Sequence, residues 1–330
     1  MKSSVIGLGL ESSCDETAVA VVEDGRLIRS NIISSQIDLH REYYGVVPEI
    51  ASRAHLEAIN PLIDRALDAA GVGFGDLDYV AATNRPGLVG SLLIALQSAK
   101  VISYAMDIPL MAVNHLEAHL YTPFLEGNEL AYPFIGLLVS GGNTALYHVR
   151  GTGDMELIGR TADDAAGEAF DKIAKYMDLG YPGGPVIERL ARSAARGGVL
   201  FPKILPDPGD FRFSYSGIKT AVINHLKKHP DAVRAEVAYG FQERVLEIMV
   251  RRIFAAARER EVRRMVVAGG VAANGRLREL LAEEKRPDET VIMPSPALCT
   301  DNAAMVAGIG YHYFLTGRSD DRSVDVHARV

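Results

Sequence analysis

The chain has 330 residues, more than one hydrophobic core usually encloses, so the sequence predicts two domains. Its 48% hydrophobic and 23% charged residues are typical of a globular protein, and without an unbroken apolar run of about 18 residues we expect no membrane span and no secretory signal. A formal net charge of −7 excludes a uniformly basic nucleic-acid binder, and two isolated cysteines, Cys14 and Cys299, exclude a disulfide framework and favour a cytoplasmic protein.

Two stretches, residues 6–33 and 135–161, share one pattern of strand, small polar turn, strand, glycine-centred turn and strand. Asp24-Gly25 and Gly153-Asp154 are hairpin turn signals within them. Two copies of one unit, about 130 residues apart, predict an internal duplication. The alternative is that two unrelated α/β domains each begin with a hairpin.

The rest of the chain is mainly helical. The spacing of apolar residues predicts helices over 49–70, 88–105, 162–179, 186–196, 218–228 and 231–259, and short strands over 78–84, 264–268 and 291–293. A Gly- and Pro-containing loop lies at 181–185 and a long loop at 202–216. A further helix is expected near Asn274 and a last one from Asp301-Asn302 to about Leu315, with a frayed polar end from Thr316.

Three turns are rich in the small residues that are typical of phosphate-binding turns. Residues 11–17 (ESSCDET) and 140–144 (SGGNT) occupy equivalent places in the two copies, and their small residues let N–H groups approach a phosphate. Residues 268–274 (AGGVAAN) follow a strand and open a helix, as nucleotide-binding turns do. Each turn alone is also compatible with a plain hairpin or helix start, but the paired occurrence predicts phosphate binding.

Two histidines indicate a metal site. His115 and His119 are spaced i, i+4, which places both imidazoles on one helix face, and Asp301 is a candidate carboxylate for a third ligand. Structural or exposed histidines are the alternative for such a pair. Because Glu117 does not directly follow His115, the H-E-x-x-H pattern of metalloproteases is absent.

The segment 163–172 (DDAAGEAFDK) carries several acidic residues at a predicted helix start. Asp163 or Asp164 is expected to cap this helix. Asp171 lies two turns further on, where an ion pair with Lys172 or Lys175 is the alternative to a role in ligand binding. Downstream, Gly183-Gly184-Pro185 either allows close backbone approach to a ligand or forms a simple turn.

Nine ordered motifs resemble one family over most of the chain. They read ESSCDETAVAVV, GVVPEIASRAH, NHLEAH, VSGGNTAL, DDAAGEAFDK, YPGGP, FSYSGIKTAV, GGVAAN and CTDNAAM. Together they are similar to the bacterial tRNA adenosine threonylcarbamoyltransferases, formerly called O-sialoglycoprotein endopeptidases. The resemblance implies an actin-like α/β fold, shared with sugar kinases and Hsp70, of two RNase H-like lobes around a nucleotide cleft. It places the first lobe at 1–130, the second at 131–300, and the last helix, about 301–330, back on the first lobe.

The resemblance also implies the chemistry. Such enzymes transfer the threonylcarbamoyl group from threonylcarbamoyl-adenylate to the exocyclic amine of the adenosine 3′ to the anticodon in ANN-reading tRNAs. Carried over by motif, the catalytic metal ligands are His115, His119 and Asp301. The residues lining the adenylate are Leu138, Val139, Ser140, Gly141 and Gly142, and those holding its ribose and base are Asp171, Gly184, Glu188 and Asn274.

The implied cofactor is one divalent metal ion per subunit, with Fe²⁺ preferred over Zn²⁺, and the cleft is also expected to accept ATP or ADP. The implied partners are tRNA, an inactive paralogous subunit and a small P-loop ATPase, with no membrane. A small-molecule kinase of the same fold and a non-catalytic partner module are the alternatives, and the metal triad argues against the second.

The chain departs from the family pattern at several positions. Arg85 replaces a usual glycine, where it either strains the loop or supplies a cation for phosphate. Tyr44 replaces another glycine, Asn143 a usual histidine and Glu188 a frequent aspartate, and the C-terminal motif is shortened to 328–330.

We also expect a basic region that binds tRNA. The alternative is a solvated helix surface whose positive charges are balanced by Glu243, Glu247, Glu259 and Glu261. The members of the basic region are Lys227, Lys228, Arg244, Arg251, Arg252, Arg258, Arg260, Arg263 and Arg264.

Overall fold

The computed structural model describes residues 4–43, 45–129, 131–195, 199–203 and 209–329. Two compact units make up the chain, one of Met1–Leu130 with Thr300–Val330 and the other of Ala131–Cys299. The strands are β1 (Ile6–Glu11), β2 (Glu16–Glu23), β3 (Leu27–Ser35), β4 (Tyr79–Arg85), β5 (Leu110–Asn114), β6 (Phe134–Val139), β7 (Thr144–Gly151), β8 (Asp154–Arg160), β9 (Arg264–Ala268) and β10 (Thr290–Ile292). The helices are α1 (Ile37–His40), α2 (Pro48–Ala70), α3 (Val89–Met106), α4 (His115–Tyr121), α5 (Ala166–Tyr176), α6 (Gly183–Arg192), α7 (Ser216–Lys228), α8 (Arg234–Glu259), α9 (Gly275–Glu284) and α10 (Ala303–Leu315).

The first unit is built on a five-stranded sheet in the order β3-β2-β1-β4-β5. The first three strands pair antiparallel, whereas β4 and β5 run parallel to β1. The central strands β1 and β4 are almost wholly buried, as expected for apolar strands covered on both faces. This order places the ends of β1, β4 and β5 side by side.

The two faces of this sheet bury different helices. Leu8 and Leu10 belong to the core formed with α2 and α3. Gly9 points to the other face because successive side chains alternate across a strand. A Cβ on Gly9 would collide with the backbone of α10 at Ala303 and Ala307. Glycine in β1 therefore lets α10 lie directly on the sheet.

The second unit repeats this arrangement. Its sheet has the order β10-β9-β6-β7-β8, with β6, β7 and β8 antiparallel and with β9 and β10 parallel to β6. Counted from β8, the order of strands is that of the first unit. The duplication predicted from the two similar stretches is confirmed at the level of topology.

Some predicted elements need correction. Strand β5 was not predicted, because the four apolar residues after Pro109 are too few to show a period. Helix α5 spans only Ala166–Tyr176, and α6 begins at Gly183, so part of the predicted Gly- and Pro-containing loop is its first turn. Residues 204–208 of the predicted long loop lie outside the described residues.

The segment after α10 is fastened to the first unit rather than frayed. The amide of Asp320 donates to the carbonyl of Leu110, and the amide of His327 donates to the carbonyl of Asn84. Val324 and Val326 pack against the first-unit core. The predicted frayed end was wrong because polar composition does not show backbone hydrogen bonds to a sheet edge.

Among the described residues, one helix, α3, is long and apolar enough to cross a membrane by length and composition. Leu92, Ala95, Leu96 and Ala99 of this helix are fully buried in the first unit. The apolar character of α3 thus serves the core of the sheet it covers.

Candidate metal centre and nucleotide-binding residues

The two candidate histidines lie at the start of a short helix. Strand β5 ends at Asn114, whose side chain accepts a hydrogen bond from the amide of Leu116 at 2.9 Å and so caps α4. His115 is the first residue of that helix and His119 follows one turn later. Their ring centroids are 4.5 Å apart, with the rings nearly perpendicular.

Asp301 reaches the same place from the other end of the sequence. Asn302 caps α10 by accepting from the amide of Met305 at 3.1 Å, so the carboxylate of Asp301 is not used as the cap. Its Oδ1 lies 2.9 Å from Nε2 of His119 and 3.5 Å from Nε2 of His115. One ligand atom from each of the three residues lies within 4.8 Å of the other two, a spacing that a single metal ion could bridge.

A buried glutamate holds the far side of His115. Oε2 of Glu11 lies 3.0 Å from Nδ1 of His115 and accepts the hydroxyl of Thr83 at 2.6 Å. Oε1 of Glu11 accepts the amide of Ser13 at 2.5 Å. Both Glu11 and Thr83 are inaccessible to solvent. The sequence places Glu11 in a phosphate-binding turn, whereas the structure places it as the last residue of β1, bonded to a candidate metal ligand.

The ionisable groups of this centre shift one another's pKa values. Burial opposes ionisation of Asp301, but the imidazoles of His115 and His119 lower its pKa to about 2. Burial lowers the pKa of His115, yet the carboxylates of Asp301 and Glu11 outweigh it and raise that pKa to about 9. Burial and the neighbouring His115 lower the pKa of His119. The carboxylates of Asp301 and Glu11 and the imidazole of His115 therefore stabilise one another's charged forms.

The turn between β1 and β2 adds further acidic groups. Burial, then the carboxylates of Asp301 and Asp15, raise the pKa of Glu16 to about 10. Burial and Asp15 also raise the pKa of the Cys14 thiol, so Cys14 is not an activated nucleophile. Neither Cys14 nor Cys299 is part of a disulfide, as expected. The concentration of carboxyl groups around this turn favours a bound cation.

The candidate adenylate residues of the second unit lie around the end of β6. Leu138 pairs with Ala268 of β9, and Ser140 follows β6 directly. Leu138 and Val139 are fully buried, backbone included, whereas Gly141 and Gly142 are exposed. Gly167 at the start of α5 donates its amide to the carbonyl of Ser140 at 3.1 Å.

The other candidates surround the start of α6. Asp171 on α5 accepts the amide of Gly183 at 2.7 Å, beside Gly184. Glu188 on α6 accepts the amide of Gly275 at 2.9 Å and pairs with Arg192. Asn274 caps α9 and donates to the side chain of Gln242 at 3.0 Å. Short contacts therefore join α5 to α6 and α6 to the start of α9.

The acidic pair before α5 does not cap it, so that prediction was wrong. The carboxylate of Asp163 accepts hydrogen bonds from Ser214, Tyr215 and Ser216 at the start of α7. Asp164 pairs with Lys172 and Lys219. The first amides of α5 are satisfied elsewhere, that of Ala166 by Oγ1 of Thr144 and that of Gly167 by the carbonyl of Ser140. The two aspartates instead fasten α5 to α7.

The departures from the family pattern are accommodated locally. The backbone of Arg85 is not in the left-handed region, so the alternative in which it strains its loop is wrong. Asn143 closes its turn by donating its amide to Oγ of Ser140 at 3.1 Å and accepting the amide of Ser140 at 2.8 Å. Tyr44 and Val330 lie outside the described residues.

A model of the tRNA N6-adenosine threonylcarbamoyltransferase family, TsaD, matches residues 27–308. The chain belongs to this family. It is 50% identical over 315 residues to the tRNA N6-adenosine threonylcarbamoyltransferase of Anaeromyxobacter sp. (strain Fw109-5), with 94% of this chain and 95% of that protein covered. The enzyme of the same name from Symbiobacterium thermophilum is 50% identical over 318 residues, covering 95% and 93%.

Solved structures show the fold at low sequence identity. Full-length HypF, in a phosphate- and nucleotide-bound form, has a TM-score of 0.63 at 16% identity, covering 95% of this chain and 47% of that one. Component A of the (R)-2-hydroxyglutaryl-CoA dehydratase of Acidaminococcus fermentans has a TM-score of 0.58 at 16% identity, covering 95% and 100%. The predicted actin-like α/β fold is confirmed.

A tRNA N6-adenosine threonylcarbamoyltransferase is a transferase that modifies adenosine in tRNA. Membership of this family confirms the predicted activity and decides against a kinase.

The positive charge of the predicted basic region is largely neutralised by ion pairs. Arg244 and Arg251 both pair with Glu247, while Arg252 is buried. The other pairs join Arg258 to Glu284 and Glu289, Arg260 to Glu156, and Arg263 to Asp288. These ion pairs favour the alternative of a charge-balanced surface.

Proposed function

We propose that this chain transfers a threonylcarbamoyl group from threonylcarbamoyl-adenylate to the N6 amine of the adenosine 3′ to the anticodon in ANN-reading tRNAs. The observation that carries this proposal is the convergence of His115, His119 and Asp301 in a chain of the threonylcarbamoyltransferase family. We further propose that the protein acts in the cytoplasm, where its tRNA substrate is found.

The three residues fit a divalent metal ion by their chemistry. Two imidazoles and one carboxylate are a donor set that binds Fe²⁺ or Zn²⁺, and we assign Fe²⁺ as the preferred ion and Zn²⁺ as the alternative. The carboxylates of Asp301 and Glu11 supply the negative charge that such a cation neutralises. When bound, the ion would supply Lewis-acid polarisation of the carbamoyl carbonyl or of a phosphate oxygen.

The donor is already activated, so orientation and charge stabilisation suffice for transfer. The N6 nitrogen attacks the carbamoyl carbon, an N–C bond forms, the C–O bond to phosphate breaks, and AMP and a proton leave. We assign the turn after β6 to the phosphate, because the exposed glycines Gly141 and Gly142 leave backbone amides accessible. Asp171, Gly184, Glu188 and Asn274 are assigned to the ribose and the base, and ATP or ADP is expected to occupy the same residues.

Two further subunits belong to the proposed reaction. We assign an inactive paralogue of this chain and a small P-loop ATPase as its partners, on the basis of the family resemblance. Their requirement is tested by leaving each out of a reconstituted reaction.

The test combines metal content with product formation. The protein, both partners, threonine, bicarbonate, ATP, a supplementing enzyme that makes the adenylate, and unmodified tRNA are incubated, and the modified nucleoside is sought by mass spectrometry. His115→Ala and Asp301→Ala should each abolish bound metal, measured by elemental analysis, and lower the transfer rate at least 100-fold.

A matched control is His225→Ala, because His225 is a partly exposed histidine of α7 in the second unit. This variant should keep both metal and activity. An Asp301→Ala protein that transfers at the wild-type rate without metal would refute the assignment of the metal ligands.

A further inference from the structure

We infer that Glu11 is a positioning residue, which holds the imidazole of His115 with Nε2 turned toward the metal. The inference rests on the proposed metal site and extends it from the ligands to the group behind them. Ring nitrogens of metal-binding histidines are commonly fixed by a carboxylate on the side away from the ion, which sets both the tautomer and the ring orientation.

The contacts around Glu11 specify which nitrogen of His115 carries the proton. Its carboxylate can only accept hydrogen bonds, and Oε2 lies 3.0 Å from Nδ1 of His115. In the neutral imidazole that metal binding requires, a proton on Nδ1 satisfies this contact and leaves the lone pair of Nε2 free, on the ring edge that lies 3.5 Å from Asp301. Oγ of Ser13, at 3.2 Å from the same Nδ1, is the weaker neighbour.

Both oxygens of the Glu11 carboxylate accept hydrogen bonds from neighbouring residues. The amide of Ser13 donates to Oε1, and the hydroxyl of Thr83 donates to Oε2. Glu11 ends β1 and Thr83 lies on the adjacent strand β4, so both belong to the rigid centre of the sheet. Because the Glu11 side chain is fully buried, no bulk water replaces a lost contact.

This arrangement makes the conservative variant informative. Glutamine at position 11 has one acceptor oxygen, which can face either the amide of Ser13 or Nδ1 of His115, but not both. The shape of the side chain is retained, while the imidazole loses its fixed orientation or the turn loses its hydrogen bond. We expect Glu11→Gln to weaken metal binding 10- to 100-fold.

The measurement is a titration of the metal-free full-length protein with Co²⁺, followed by visible absorption of the bound ion, with Zn²⁺ competition to obtain its affinity. The wild-type protein should bind one Co²⁺, and Glu11→Gln should bind one Co²⁺ with a dissociation constant raised 10- to 100-fold. An unchanged dissociation constant in a folded Glu11→Gln protein overturns the inference.

Glu117→Gln is the matched control for loss of a buried carboxylate. Glu117 lies on α4 between the two histidines and accepts the hydroxyl of Tyr313. It should lower thermal stability while leaving the Co²⁺ affinity within about twofold. An equal loss of affinity in Glu117→Gln would show a general effect of disturbing α4 and overturn the role of Glu11.

A second variant keeps the test decisive if Glu11→Gln does not fold. Thr83→Val removes the hydroxyl that donates to Oε2 but leaves the carboxylate, and it should weaken Co²⁺ binding several-fold. Unchanged affinity in Thr83→Val then overturns the inference. Failure of the wild-type protein to bind any Co²⁺ or Zn²⁺ would instead refute the metal site itself, which distinguishes the two proposals.

Discussion

At the scale of single residues, Gly167 determines how closely α5 approaches the turn proposed to bind phosphate. A Cβ at this position would lie 2.8 Å from Cα of Gly141 and from the carbonyl oxygen of Ser140. Both are backbone atoms, so the turn would have to move. We expect Gly167→Ala to cost about 1–3 kcal/mol of stability by overpacking and to weaken binding of AMP about tenfold. Denaturant unfolding and calorimetric titration with AMP measure the two effects.

Gly151→Ala is the matched control for this glycine. Gly151 ends β7 in the same unit, and its ideal Cβ meets no atom within 4 Å. Its AMP affinity should equal that of the wild type. If Gly167→Ala also binds AMP normally, the close approach of α5 does not shape the binding turn.

The sequence predicts some residues of the candidate site and gives almost no sign of others. The i, i+4 histidines and Asp301 could be named from spacing and motif, and the structure brings all three together. The role of Glu11 was missed because it depends on the adjacency of β1, β4 and β5, which no local pattern encodes. Its one available signal was a glutamate at the end of an otherwise apolar strand, IGLGLE.

At the scale of elements, a buried histidine fastens α2 to the turn between β1 and β2. Nδ1 of His55 lies 2.7 Å from Oγ1 of Thr17, and its Nε2 lies 3.1 Å from the carbonyl of Cys14. Burial lowers the pKa of His55 below its usual 6.5, against the opposing effects of its hydrogen bond to the Cys14 carbonyl and of the carboxylates of Glu11 and Asp15. The neutral ring therefore belongs to the folded state.

The sign of the pH effect follows from that lowered pKa. Below pH 6.5 the unfolded chain binds a proton at His55 that the folded chain does not, so this contribution is present above pH 6.5 and is lost as the pH falls. We expect His55→Gln to lower the free energy of unfolding at pH 7.5 by about 1–3 kcal/mol. The variant should also lose less stability than the wild type between pH 6.5 and 5, as measured by urea unfolding.

His327→Gln provides the comparison, because His327 is an exposed side chain of the same unit. Its unfolding curves should follow those of the wild type at every pH. Identical acid sensitivity in His55→Gln and in the wild type would assign the pH dependence to other groups.

Helices and strands are predicted best where their hydrophobic periodicity extends over many residues. Both three-strand units and the helices α2, α3 and α8 were found within a few residues, since each shows a sustained period. Strand β5 and the first turn of α6 were missed because they contain few residues and because Gly183-Gly184-Pro185 favours a turn by local preference. Tertiary contacts decide such segments.

At the scale of the whole molecule, the first unit is discontinuous in sequence and depends on the C-terminal segment. Nine residues of α10 are buried, and the helix lies against β1, β2, β4 and α4. Termination after Thr300 would remove on the order of 10 kcal/mol of apolar burial, comparable to the whole stability of a domain. We expect the first unit of this truncated protein to be unfolded, as measured by hydrogen exchange resolved by mass spectrometry.

Termination after Thr316 is the matched truncation, because it retains α10 and removes only the following segment. This shorter deletion should leave the first unit protected, though less stable, since it removes the contacts of Val324 and Val326. Protected amides in β1 and β4 of the protein ending at Thr300 would show that α10 is dispensable for folding.

The discontinuity of the first unit also bears on how the protein is made. Asp301 follows His119 by 182 residues, and the entire second unit is synthesised between them. At ribosomal rates this interval lasts roughly 10–40 s, so a nascent chain carries its histidine pair long before the carboxylate exists. The proposed metal site is therefore complete only after Asp301 has been synthesised, and a polypeptide released earlier would lack part of the proposed ligand set.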